Sequence, residues 1–292
     1  MEPLFEHRME LAGTETRVLE LEGHGDPVVL FHGWSDSADT WRPVLARLAR
    51  EERRAIAVDL PGFGTADPLA DGQMLPQLDA FGAEALGYAL ASVRSGRRGR
   101  GGAVVVGNSL GGCLALRLAE RVPQDVARVV ALAPAGLDMA RWFGLIERDQ
   151  LLSTLAAMPL PLPSTVVRNV VGRAYRALAF ADPAAIEPGV VAAFARHHPD
   201  RAALAHMLAS GRRLIPELRD PFDFAAVACP VLLVWGDRDR LVFHRGAERV
   251  LSAVEDSRLE LLKGCGHCPQ LERPERVVEL LLEDEPSLAH AA

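Results

Sequence analysis

Gly107-Asn108-Ser109-Leu110-Gly111 carries the residue types of a nucleophile held on a sharp turn. It follows the apolar run Ala103-Val104-Val105-Val106 and precedes Gly112 to Val122, which reads as helix. A serine between a buried strand and a helix, with a glycine two residues to each side, is the nucleophile-elbow pattern. The strained turn lifts the hydroxyl clear of the backbone, and the glycines remove side chains that would collide with strand or helix. Five such common residues identify little alone; the strand before and the helix after are what the chemistry requires. An ordinary hydroxyl is a poor nucleophile near neutral pH and needs a base. Of nine histidines, His267 is best placed, in the loop Gly264-Cys265-Gly266-His267-Cys268. The base needs a carboxylate to fix its tautomer. Asp237 and Asp239 both follow the run Val231–Trp235; Asp239 lies further into the loop and is better able to reach the histidine, whereas Asp237 suits holding the turn. A developing oxyanion needs two preorganised donors. The backbone N–H of Leu110, directly after Ser109, and that of Trp34, in His32-Gly33-Trp34, are the candidates. His32 itself reads as an anchor of its loop.

These residues are collected by the elements that precede them. Residues 8–22 alternate loosely around Gly13, a hairpin at a sheet edge. Buried strands are read at Pro27–Phe31, Ala55–Val58, Ala103–Val106, Val129–Leu132, Pro230–Trp235 and Leu259–Leu262. Helices are read at 40–51, from Leu78 to Val93, over 112–122, 244–254 and 274–282, with 65–77 as loop. Between Asp138 and Asp220 the alternation stops. The spacing there predicts helices over 141–157, 164–178 with Ser164 as N-cap, 188–197 and 200–214, and an extended connection at Met158–Pro163. Short apolar strands alternating with helices make a mostly parallel sheet covered on both faces. Ligands of such sheets bind beyond the carboxyl ends of the strands, where His32, Asp59, Ser109, Asp239 and the His267 loop all lie.

The chain has 292 residues, 49% apolar and 24% charged, with net charge -7. That balance fits a globular protein with a sizeable core and argues against a nucleic-acid surface. Arg94, Arg97, Arg98 and Arg100 lie among glycines and read as a solvated loop. Four cysteines do not make a disulfide framework. Met1 to Glu10 lacks the apolar core of a signal peptide, and no apolar run approaches the roughly 18 residues of a membrane span, so the expectation is a cytoplasmic protein, monomer or homodimer. Cys265 and Cys268 form a C-x-x-C, but no ligand cluster completes a metal site, and neither metal nor cofactor is expected. Cys113 reads as a small core residue. Trp34, Phe63, Leu110, Met139, Trp142, Phe143 and Leu145 are candidates for an apolar substrate pocket; Arg168, Arg173, Arg176 and Arg196 read mostly as solvated helix faces.

Five motifs stand in order at strand ends: His32-Gly33-Trp34, Asp59-Leu60-Pro61-Gly62-Phe63-Gly64, Gly107-Asn108-Ser109-Leu110-Gly111-Gly112, Gly236-Asp237-Arg238-Asp239 and Gly266-His267. On these the chain resembles the cap-bearing serine-hydrolase branch of the α/β-hydrolase fold over nearly its whole length. The resemblance implies an eight-stranded, mostly parallel sheet with helices on both faces. It implies a core of 1–137 and 221–292, with 138–220 inserted as a helical cap. It also implies Ser109 as nucleophile, Asp239 as acid and His267 as base. Serine at the elbow separates the chain from haloalkane dehalogenases and epoxide hydrolases, which carry aspartate there. The implied activity is hydrolysis of a carboxylic ester or related acyl bond of a small hydrophobic substrate through an acyl-serine. The elbow is also similar to that of meta-cleavage-product hydrolases, which cleave C–C bonds; those usually place an aromatic residue after the catalytic histidine, where this chain has Cys268. A specialised biosynthetic hydrolase or cyclase and a non-catalytic ligand-binding receptor are further alternatives, since fold does not fix reaction.

Overall fold

Side chains on a strand alternate between faces, so a strand buried on both sides must be apolar throughout. Four central strands follow this rule, and a computed structural model gives their arrangement; it describes residues 4–94, 101–148 and 163–283. The strands are β1 (Leu4–Leu11), β2 (Thr14–Leu21), β3 (His24–Phe31), β4 (Arg53–Val58), β5 (Ala103–Asn108), β6 (Val126–Leu132), β7 (Val231–Gly236) and β8 (Ser257–Leu262). They form one eight-stranded sheet in the order β1-β2-β4-β3-β5-β6-β7-β8. β2 pairs antiparallel with both its neighbours, and all other pairs are parallel. The order reverses direction at β3, between β4 and β5. A crevice opens at such a point, beyond the carboxyl ends of the strands.

The helices are α1 (Arg42–Leu48), α2 (Met74–Arg94), α3 (Leu110–Arg121), α4 (Phe143–Arg148), α5 (Ser164–Ala179), α6 (Pro188–Arg196), α7 (Arg201–Glu217), α8 (Glu248–Leu251), α9 (Pro269–Glu272) and α10 (Pro274–Leu282). Val105, Leu233 and Trp235 point to a core shared with α2 and α3. Their neighbours Val104, Val106, Leu232 and Val234 point the other way, against α1 and α10. Among the described residues, no helix is long and apolar enough to cross a membrane.

Most elements lie where the apolar pattern puts them, and two do not. The segment 65–77 is not all loop, because α2 begins at Met74. Pro76 sits in the first turn, where a proline removes no helical hydrogen bond. The Glu217 carboxylate at the end of α7 accepts the Met74 and Leu75 N–H groups at 2.8 and 2.9 Å. That partner lies 143 residues away, beyond the reach of local pattern. Ser164 is not an N-cap: it is the first residue of α5, with extended Pro163 before it and no side-chain cap. Asp200 does cap α7, accepting the Ala203 N–H at 3.0 Å. Between β6 and β7 the described residues hold α4 to α7 and one isolated bridge, Met139 to Val242. The arginine cluster beyond Arg94, most of the expected helix 141–157, the prolines before Pro163 and the C-terminal tail lie outside the described residues.

Asp59 braces the loops at the crevice. Its side chain is fully buried. Oδ1 accepts the Ala38 N–H at 2.7 Å, Oδ2 accepts the Thr65 N–H at 2.8 Å, and the Arg17 guanidinium grips both oxygens at 3.0 and 3.1 Å. Burial alone would raise this carboxyl, but Arg17 and the surrounding donors hold it below the usual range. Gly64 is required beside it: a Cβ there would stand 2.3 Å from Asp59 Cγ, at a φ of +58°. Removing one partner of a buried pair leaves the other charge uncompensated. Asp59→Ala should therefore lower unfolding free energy by about 3 kcal/mol or more in urea titrations. Arg276→Ala, which breaks half-exposed pairs with Glu260, Glu279 and Glu283, should cost under about 1 kcal/mol.

Candidate active site

Ser109 sits between β5 and α3 with φ 53° and ψ −111°, a conformation that costs about 1–3 kcal/mol for a non-glycine residue. The turn is pinned from both sides. The Ser109 N–H donates to Leu132 O at 2.9 Å, and Ser109 O accepts the N–H groups of Cys113 and Ala135, each at 2.9 Å. Glycines make the packing possible: a Cβ on Gly107 would lie 2.0 Å from Gly111 O, and one on Gly111 2.1 Å from Phe31 O. The helix following a residue so placed must begin at once. Leu110 is its first residue, and its N–H has no hydrogen-bond partner among the described residues. The Trp34 N–H is likewise free of any such partner. Both residues line the same cavity as Ser109.

His267 Nδ1 lies 2.7 Å from Asp239 Oδ2, with both side chains buried. A carboxylate only accepts, so Nδ1 carries the proton and Nε2 is left with a lone pair. Asp239 Oδ1 accepts the Leu241 and Val242 N–H groups at 2.8 and 3.1 Å, which fixes the acid in turn. Asp237 holds a turn, but of the neighbouring loop: its Oδ1 accepts the Gly264 N–H at 2.7 Å. His267 is held through its backbone, its N–H donating to Ala179 O at 2.7 Å and its carbonyl accepting Asn108 Nδ2 at 2.9 Å. No hydrogen bond among the described residues joins Ser109 Oγ to His267; both line one cavity. His32 is an anchor. Its Nε2 accepts the Leu60 N–H at 2.8 Å and its Nδ1–H donates to Gly33 O at 2.7 Å. Burial pushes its pKa down to about 4, keeping the ring neutral.

The cavity measures about 310 Å³, the lower end of the usual range for small-molecule sites. Met139, Trp142, Phe143 and Trp34 line it as expected, joined by Ile146, Val170, Tyr175 and Met207 from α4, α5 and α7. Phe63 does not line it. That ring is buried in the core and meets His32 edge-on at 6.2 Å, because the Asp59–Gly64 turn folds it under the sheet edge. Leu145 is 64% exposed and faces away. Arg168, Arg173, Arg176 and Arg196 are absent from the wall. Cys265 and Cys268 are buried free thiols, and burial raises both. Among the described residues, no group of three or more His, Cys, Asp or Glu side chains is placed to hold a metal ion.

Asp36 is the wall residue that sequence reasoning missed. It follows Trp34 by two positions, in a loop whose acids look like ordinary solvated ones. In the fold it is 7% exposed and lines the cavity. Burial pushes its pKa up to about 7, against the opposing pull of the Ser37 N–H and the Thr40 hydroxyl.

A model of the alpha/beta hydrolase family matches residues 28–280. Monoacylglycerol lipase ABHD6 of Homo sapiens is 26% identical over 270 residues, covering 89% of this chain and 75% of that protein. The solved structure of 2-hydroxy-6-oxo-6-phenylhexa-2,4-dienoate hydrolase from Rhodococcus sp. strain RHA1 is 23% identical, covers 97% of this chain and 99% of its own, and superposes with a TM-score of 0.73. A thermophilic esterase from Thermogutta terrifontis is 20% identical, with coverages of 95% and 97% and a TM-score of 0.72. At these identities the structural likenesses speak for the fold.

The raised Asp36 carboxyl has a stability consequence. Its folded-state pKa lies above the unfolded value near 4, so the stabilisation is full below about pH 4 and is lost as pH rises through about 7. Asp36→Asn cannot ionise. Its melting temperature relative to wild type should therefore climb between pH 5 and pH 8, by on the order of 5 °C, in calorimetric scans. A difference that stays flat over that window would contradict a buried, reluctant carboxylate.

Proposed function

The chain belongs to the alpha/beta hydrolase family, and we propose that it is a serine hydrolase that cleaves a carboxylic ester of a small hydrophobic acid through an acyl-Ser109 intermediate. The observation that carries this reading is the buried Asp239–His267 pair at 2.7 Å, whose histidine lines the same cavity as Ser109, Leu110 and Trp34. In this mechanism His267 Nε2 takes the Ser109 proton as Oγ adds to the ester carbonyl. The oxygen that becomes negative is received by the N–H groups of Leu110 and Trp34, the first of them at the positive end of α3. His267 then gives its proton to the departing alcohol oxygen, and the C–O bond breaks to leave the acyl-serine. A water deprotonated by the same nitrogen releases the acid and restores the hydroxyl. Asp239 keeps Nδ1 protonated throughout and stabilises the imidazolium as it forms.

The apolar wall supports the substrate class. Trp142 stacks on Phe143 at 4.1 Å between centroids, and aliphatic side chains of α5 and α7 continue the surface. Such a wall favours an uncharged acyl chain by burial alone. In this reading residues 138–220 act as a cap that closes the cavity over the sheet edge and sets its selectivity. The name of the lipase relative agrees with acyl-ester chemistry.

Ser109→Ala should lower kcat/KM for p-nitrophenyl butyrate by on the order of 10⁴-fold or more and abolish labelling by a fluorophosphonate probe, with the melting temperature kept near that of wild type. A variant that retains most of its turnover would remove Ser109 from the mechanism.

A further inference from the structure

Among the described residues Asp36 is the one acidic side chain in the wall of a largely apolar cavity, and no lysine or arginine lines that cavity with it. A buried carboxyl is costly unless its acceptor positions are filled. An ionised carboxylate offers about four such positions, and a protonated carboxyl still accepts at its carbonyl oxygen. Among the described residues two donors reach Asp36: the Ser37 N–H, 2.9 Å from Oδ1, and the Thr40 hydroxyl. Thr40 Oγ1 also accepts Gln270 Nε2 at 3.1 Å, which leaves its hydrogen for Asp36. The carboxyl is thus more than nine-tenths buried, half satisfied, and part of the cavity surface.

Its surroundings say which end of the cavity this is. Asp36 acts electrostatically on the Cys268 thiol and on the Tyr175 hydroxyl, which lies 3.9 Å from Cys268 Sγ. Both line the cavity, and Cys268 adjoins His267. Asp36 therefore lies near the His267 loop, and in the serine-hydrolase reading His267 hands its proton to the leaving alcohol. A cationic partner would bring a second desolvation penalty into an apolar pocket; a hydroxyl brings a donor at much smaller cost.

We propose that Asp36 is a specificity residue that accepts a hydrogen bond from a hydroxyl carried by the alcohol portion of the substrate, so that the cavity selects hydroxyl-bearing esters over isosteric alkyl esters. The assignment of a side rests on the serine-hydrolase reading; the acceptor role of Asp36 does not. A site built around a hydrogen bond discriminates strongly against the analogue lacking it, because its own polar group is then left buried and unpaired.

The test compares kcat/KM for 2-hydroxyethyl butyrate and propyl butyrate, near-isosteres that differ in one hydroxyl. Wild type should prefer the hydroxyethyl ester about tenfold or more. Asp36→Ala should bring the ratio close to one, and Asp36→Asn, which keeps an acceptor oxygen, should leave it intermediate. An unchanged ratio in folded Asp36→Ala that still turns over p-nitrophenyl butyrate overturns the Asp36 role and leaves the hydrolase reading standing. Should wild type show neither Ser109-dependent turnover nor fluorophosphonate labelling, the hydrolase reading fails, and equilibrium binding decides the acceptor role. Quenching of Trp34 and Trp142, which line the cavity, would follow titration with hexane-1,6-diol and with heptan-1-ol. Diol preference that is lost in Asp36→Ala supports the acceptor role; equal affinities overturn it.

Discussion

Everything at this site depends on a serine held where a serine does not rest. A φ of 53° at Ser109 is tolerated because the surrounding backbone leaves no alternative. Three main-chain hydrogen bonds of 2.9 Å hold it, and Gly107 and Gly111 let strand, turn and helix approach closer than any Cβ would allow. The same strain exposes the hydroxyl and starts α3 so abruptly that the Leu110 N–H has no partner among the described residues. One local distortion thus yields both an exposed hydroxyl and a backbone donor beside it, the two groups that the proposed mechanism uses. It is affordable only because four buried parallel strands supply a rigid base beneath it.

Around this turn a polar frame lies under an apolar chamber. Asp59, Arg17 and Asp39 form a buried network that ties the loop after β4 to the residues following His32. His32 links the same loops with a neutral ring, accepting at one nitrogen and donating at the other. On the opposite side, Asn108 donates to His267 O and to Leu132 O, and accepts from Gln270. Each bond is worth only about 0.5–1.5 kcal/mol net, but together they fix where the donors and the base point.

How much of this was legible follows from the range of the forces involved. The strands, the hairpin and the elbow are written in contiguous residues: apolar runs, glycines at fixed offsets, acids and histidines at strand ends. Period and spacing are local, so they read correctly. The start of α2 did not, because Glu217 completes it from another helix. Phe63 was misjudged for a similar reason. It belongs to the right motif, yet the turn of that motif directs the ring into the core. Asp36 went unnoticed because a loop acid acquires meaning only when other elements bury it.

The helices between β6 and β7 are not a detached lid on this arrangement. The C-terminal carbonyl of α5, Ala179 O, accepts the His267 N–H at 2.7 Å. Two residues on, the Ala181 N–H donates to Glu272 Oε2 at 3.0 Å, while Glu272 Oε1 accepts the Gly266 N–H at 2.7 Å. Across the cavity, Trp34 Nε1 donates to Ser210 Oγ of α7 at 3.0 Å, and His198 Nε2 donates to Ser35 O at 3.0 Å. The segments that bear His267 and Trp34 are therefore bonded to the layer that shapes the cavity. At His267 and Gly266 the bonds run through backbone or through Glu272, and Tyr175 of α5 adds a side-chain contact, its hydroxyl 3.9 Å from Cys268 Sγ. The inner faces of these helices shape the cavity while their ends hold the His267 loop.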